Sequence, residues 1–314
     1  KVYFGGVKQT LDLFAKLELP LDRSKDKLVS TDILRKAQLA RGSYVDQYDL
    51  IINRLESLGY KEGAGLFTFH YDWRRSNFEA ADGLRQFIAA KGLTGKPVDL
   101  VAHSMGGLVA RCYLQNQSLF RRSSLKSSSP TPVNTLFTYW TPHRGIVFRH
   151  GLGWAEDIRD LIGFQGSDTF GSDTMRRFLS LKKNQELHEF RAARKDISED
   201  RIFCLVGTNY KDYVIWVSKH AVGPASDGLV AIESAYIHNS ARAYVHRAHS
   251  GPFGLVNSEE GYQNLVRFLF GDIRFEVSLA PMTVERDLPN LNQGEAIKFL
   301  EINVDVAIRG LPTY

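Results

Sequence analysis

A serine hydroxyl becomes a nucleophile only where its surroundings offer a base and push it toward substrate, and Ser104 sits in a run suited to both. The run Ala102-His103-Ser104-Met105-Gly106-Gly107 puts small residues two before and two after the serine. That spacing fits a sharp, strained strand-to-helix turn. Ala102 and Gly106 let the two backbones pass closely, and Ser104 Oγ is pushed outward. Met105 then opens a helix whose first N–H groups have no intrahelical acceptor, so its amide can donate to a developing oxyanion. Ala102 stands where the pattern G-x-S-x-G has glycine, the mildest change available there.

At its free pKa a serine needs a histidine base, and the base needs an acid to fix its tautomer. After an elbow of this kind the chain order is Ser, then Asp or Glu, then His, the last two on loops that follow strands. Asp227, followed by Gly228 in the turn 225–230, fits the acid, whereas Asp212 has no glycine turn around it. The bland reading of Asp227 is a plain Asx turn. For the base, His249 leads because it begins the Ser250-Gly251-Pro252 loop; His246, inside an expected strand over 242–248, is the alternative. His103 is expected to point elsewhere from the elbow and to be structural. The other histidines, His70, His143, His188, His220 and His238, show no partner pattern and no metal-ligand spacing, so neither metal nor cofactor is expected.

The elements that must position these residues are legible from periodicity. Pro97 precedes a short apolar run, 98–102, that reads as a buried parallel strand, and Leu108, Val109, Cys112 and Tyr113 continue as one helix face. Upstream, helical spacing runs over 44–58 and is closed by Gly59. A β-type run follows at 66–70, then a helix through Phe78, Ala81, Leu84 and Ile88. Downstream, strands are expected at 133–140, 202–207 and 242–248, and then a helix capped by Ser258. Alternating strands and helices make an α/β fold with a mostly parallel sheet flanked by helices.

One main domain is expected over 1–272. Within it the sheet rhythm stops at 146–200, where glycines and large apolar residues mix as in a lid or cap, with packed helices as the alternative. The serine-rich stretch 121–132 reads as a surface loop. Two alternating runs mark a small β-extension over 273–314, which breaks off as a piece of a longer protein would.

The 314 residues carry a net charge of +5 and are 43% hydrophobic and 24% charged. That is a globular composition with no membrane-length apolar run and no massed basic stripe, so nucleic acid and a transmembrane segment are both unexpected. Cys112 and Cys204, in apolar surroundings, read as buried free thiols, which favours a cytoplasmic over a secreted chain.

These residues together resemble the lecithin:cholesterol acyltransferase-like branch of the α/β-hydrolases, a group of lipases, phospholipases and acyltransferases. The matching runs are Leu58-Gly59-Tyr60, Tyr71-Asp72-Trp73-Arg74, the elbow 102–107, Thr141-Pro142-His143-Arg144-Gly145, Asp227-Gly228, and His249 ahead of a closing helix. The resemblance implies an acyl-enzyme mechanism on ester-linked lipids, with the triad carried over to Ser104, Asp227 and His249. It also implies an N-terminal strand ending in a His/Pro-Gly loop that supplies a second oxyanion donor. Nothing like that loop precedes the elbow here, and Val2-Tyr3-Phe4-Gly5-Gly6 more closely resembles the segment after it. Three expectations therefore stand side by side: a serine hydrolase of lipid esters, an acyltransferase using the same triad, and an impaired, hydrolase-like binding domain. Loss of one oxyanion donor costs about 10²–10³ in rate.

Overall fold

The elbow strand and the strands after it build one sheet because their apolar runs supply side chains to two covered faces. The computed structural model describes residues 19–20, 22–40, 43–116, 133–146, 170–191, 197–212, 222, 225–251 and 253–271. Four strands, β3 (Val98–His103), β4 (Val133–Tyr139), β5 (Ile202–Gly207) and β6 (Ala241–Val245), lie in that spatial order, every pair parallel. Leu136 and Cys204 face one core, and their neighbours Phe137 and Leu205 face the other. This period-two split is what a parallel sheet buried on both faces requires. The sequence expectation of an α/β fold with a parallel sheet is met.

Two helices, α2 (Asn77–Ala90) and α3 (Met105–Gln115), cover the first face, joined by the short α4 (Ser172–Phe178). The second face is covered by α1 (Asp49–Ser57) and α5 (Glu259–Phe270). Ahead of α1, β1 (Lys36–Ala40) and β2 (Ser43–Asp46) form an antiparallel pair. The helical spacing read over 44–58 thus begins too early: 43–46 is strand, and α1 starts at Asp49. Its end is as read. Gly59 has φ +99° and donates to Glu56 O, while Tyr60 N donates to Leu55 O, the paired bonds of a Schellman cap. At the other end of the chain, Ser258 Oγ accepts from Gly261 N at 2.9 Å and caps α5.

Among the described residues the β-type run 66–70 joins no ladder and makes a bridge from Leu66 to Glu62. Side chains hold it instead. Phe69 meets Phe87 of α2 at 5.3 Å and Tyr71 at 5.8 Å between ring centroids. Among the described strands β3 therefore lies at the sheet edge, and Val101 on it is 42% exposed. The strand read at 242–248 stops at Val245, where Arg247 N turns back to Val245 O. His246 consequently lies beyond the strand, exposed, within 3.3 Å of Thr208 Oγ1.

Of the stretch 146–200, residues 147–169 and 192–196 lie outside the described residues. The described part, 170–191, buries Phe170, Met175, Phe178, Leu179, Leu187 and Phe190 in the core beside α3. The serine-rich loop is likewise outside them, as is Val2–Gly6. Contacts divide the chain into Lys1–Gly271 and Asp272–Tyr314. The second unit, with the expected β-extension 273–314, also lies outside the described residues. No described helix is long and apolar enough to cross a membrane.

Candidate active site

Ser104 occupies the turn between β3 and α3 with φ 52° and ψ −127°, backbone that an L-residue adopts only under constraint. Three contacts impose it. Ser104 N donates to Tyr139 O at 2.8 Å, and Ser104 O accepts from Gly107 N at 3.1 Å and from Thr141 Oγ1 at 2.9 Å. The glycine that this turn needs is not the one expected. A Cβ on Gly106 would meet nothing closer than 3.9 Å, whereas on Gly107 it would lie 1.9 Å from Thr141 Oγ1. Close passage thus occurs one residue later, where the first turn of α3 crosses the chain leaving β4. Met105, as the first residue of α3, has an N–H with no intrahelical acceptor, pointing with the helix dipole toward the turn.

Asp227 is fully buried, and its carboxylate is held from both sides. Oδ1 accepts from Leu229 N at 2.9 Å and Val230 N at 2.7 Å, and Oδ2 lies 2.7 Å from His249 Nδ1. Gly228 at φ +100° allows the reversal that brings those amides round. The Asx turn proposed as the bland alternative is therefore present, and its second oxygen is what reaches the histidine.

His249 is 4% exposed and brings the other two together: its Nε2 lies 3.1 Å from Ser104 Oγ. A carboxylate accepts only, so Nδ1 carries the ring proton and Nε2 presents its lone pair to the serine hydroxyl. Trp140 stacks on the imidazole at 5.6 Å with planes 22° apart. Gly207 is what admits that indole, since a Cβ there would fall 2.0 Å from it. Such an arrangement can take a proton from Ser104 and return it to a leaving group. Between the two candidate bases, the described geometry brings His249 and not His246 to the serine.

The remaining motif residues lie around this site in supporting positions. Thr141 ties down the elbow, and His143 is buried with Nδ1 3.5 Å from Arg111 and Nε2 3.3 Å from Thr138 Oγ1. Burial, with the Arg111 charge next to it, holds His143 well below the ordinary histidine range. In Tyr71-Asp72-Trp73-Arg74, Arg74 binds Asp72 at 2.6 Å and Asp26 at 2.8 Å, fixing the 22–29 segment to the start of α2. Burial works against the Asp72 carboxylate, but the hydrogen bonds and charge of Arg74 outweigh it and leave its pKa lowered. Tyr48, Trp140 and the inward ring of His103 carry no sequence signal of a place at the site, because an aromatic at helical or strand spacing looks like core. Cys112 and Cys204 are free and buried. Among the described residues no group of His, Cys, Asp and Glu could hold a metal. A separate cleft of about 530 Å³ beside His188 and His238 contains none of these residues.

Residues 16–123 match the lecithin:cholesterol acyltransferase family. A lecithin-cholesterol acyltransferase-like 4 protein of Arabidopsis thaliana is 28% identical over 111 residues, 34% of this chain and 21% of that one. The human lysosomal phospholipase A and acyltransferase is 35% identical over 95 residues, 29% of this chain and 22% of its own length. The matches therefore span about a fifth of either relative. Among solved structures, the mature lipase BlEst2 of Bacillus licheniformis is 18% identical, covers 63% of this chain and 72% of that one, and has a TM-score of 0.38. The fold assignment rests on the chain's own parallel sheet and elbow. Residues 16–123 are thus similar to the lecithin:cholesterol acyltransferase family, and the described parallel sheet with its strand-elbow-helix turn is that of an α/β fold.

Proposed function

We propose that this chain carries the catalytic machinery of a serine hydrolase that cleaves carboxylic esters of lipids through an acyl-enzyme. The observation that carries the proposal is the continuous hydrogen-bonded line from Ser104 Oγ through His249 to Asp227, 3.1 Å and 2.7 Å long at its two joints. Ser104 Oγ attacks the ester carbonyl carbon as its proton passes to His249 Nε2, and the carbonyl π bond opens to an oxyanion that Met105 N–H receives. His249 then gives the proton to the departing alkoxide, the ester C–O bond breaks, and the acyl group stays on Ser104. Water repeats the sequence with the same base and releases the acid. Asp227 keeps Nδ1 protonated and supports the transient imidazolium without itself taking the proton.

The lipid class is supported by relatives named as a phospholipase and as acyltransferases. An alcohol can replace water in the second half of the cycle, so acyl transfer is a variant of the same chemistry and needs no further residue. Labelling by a fluorophosphonate probe tests the reading: wild type reacts and Ser104→Ala does not. A folded wild-type chain that fails to label overturns it in favour of a binding domain without a working oxyanion site. Product analysis with a competing long-chain alcohol then separates free acid from new ester.

A further inference from the structure

His103 directly precedes the nucleophile, yet its ring turns back toward the base. Tyr48 Oη lies 2.8 Å from His103 Nδ1, and His103 Nε2 lies 3.3 Å from the backbone oxygen of His249. A carbonyl oxygen only accepts, so Nε2 carries the proton. A neutral imidazole has one N–H, so Nδ1 accepts and the Tyr48 hydroxyl donates. The direction is thereby fixed from Tyr48 through His103 to the His249 carbonyl. Burial, and then the neighbouring His249 charge, push the His103 pKa down to about 3, so the ring remains neutral at working pH.

The His249 backbone is thus held on both sides of its Cα. Its N–H donates to Asp227 O at 3.0 Å, in the acid's own turn, and its C=O receives His103. Ring packing adds to this: Tyr48 meets His103 edge-on at 5.8 Å, and the two imidazoles lie 5.2 Å apart. The space left beside Tyr48, His103 and His249 is about 10 Å³. That is room for about one water.

We infer that His103, oriented by Tyr48, is a positioning residue that fixes the backbone of His249 and so keeps Nε2 within reach of Ser104. The inference rests on the serine-hydrolase reading for its effect on rate, though not for its effect on the loop. Two measurements on the full chain test it: the second-order rate of fluorophosphonate labelling, and hydrogen exchange of the backbone amides at 247–251. His103→Phe keeps the bulk and loses both hydrogen bonds; labelling should slow about 10–100-fold, the cost of a misplaced catalytic group. Exchange at 247–251 should rise. His103→Gln restores an N–H near the Nε2 position and should label within about threefold of wild type, with exchange near normal. Tyr48→Phe should fall between them, and it serves if His103→Phe does not fold. The inference is overturned if His103→Phe labels and exchanges like wild type, or if His103→Gln is as slow as His103→Phe, since packing alone would then carry the effect. If wild type does not label while exchange still responds to His103→Phe and is rescued by Gln, the hydrolase reading fails and the backbone hold stands.

Discussion

Helix α3 has a buried polar cluster at each end, and the two are built on opposite plans. At its middle and C-terminal end, Arg111 is fully buried and every N–H it has is used. Nε donates to Gln115 Oε1, Nη1 to His143 O and Leu187 O, and Nη2 to Leu187 O and Glu189 O, all within 2.8–3.2 Å. Gln115 and Asn116 continue the pattern on Leu179 O and Phe178 O. Burial pushes the Arg111 pKa down to about 10, which still leaves it charged at neutral pH. At the N-terminal end Ser104 sits in strained backbone, the helix N–H of Met105 has no acceptor within the helix, and the hydroxyl meets a histidine lone pair. Saturated donors on carbonyls lock a segment in place. Donors and lone pairs left facing one another in a constrained turn are what a reaction needs.

Breaking the locked end should cost stability and leave chemistry alone. Arg111→Ala strips four carbonyl contacts at once and should lower unfolding free energy by about 3 kcal/mol or more, read as a urea midpoint. Arg111→Lys should not restore it, because one ammonium cannot reach the same fork of acceptors. The labelling rate of the folded fraction should stay unchanged; a large fall in that rate would dissolve the distinction between the two ends. A smaller effect sharpens the reactive end. Gly107→Ala forces a Cβ into Thr141 and should lose about 1–3 kcal/mol, partly recovered by trimming Thr141 to Ala. Gly106→Ala has room and should be neutral or gain up to about 1 kcal/mol from helix propensity. The reverse order would place the tight crossing where the sequence pattern suggested it.

That reversal shows what the sequence could and could not reveal. The elbow, the parallel strands 98–103, 133–139 and 202–207, and the Gly59 and Ser258 caps follow from local spacing, whereas Asp227 and His249 are legible only through the chain order expected after such an elbow. The first group depends on neighbours within a few residues. What failed depended on distant ones. Gly106 reads as the crowded glycine until the chain at Thr141 is brought beneath Gly107. The run 66–70 has strand composition, but Phe69 packs on α2 and no described strand pairs with it. His103 is expected to point elsewhere from the elbow, and nothing in its vicinity signals that residues 48 and 249 lie at its two nitrogens. Tyr44 and Tyr48 share helical spacing with Ile51 and Leu55, and only strand pairing to 36–40 separates them.

The central claim is that Ser104, His249 and Asp227 act as one unit, and a cycle of variants tests it most directly. Labelling rates would be measured for Asp227→Asn, His249→Ala and the double variant, each checked for folding. Asp227 works only through the histidine, so the account predicts a double variant no slower than His249→Ala alone, the non-additivity expected of groups that share one task. Single losses that multiply in the double variant would contradict it, because Asp227 and His249 would then be supporting Ser104 by separate routes.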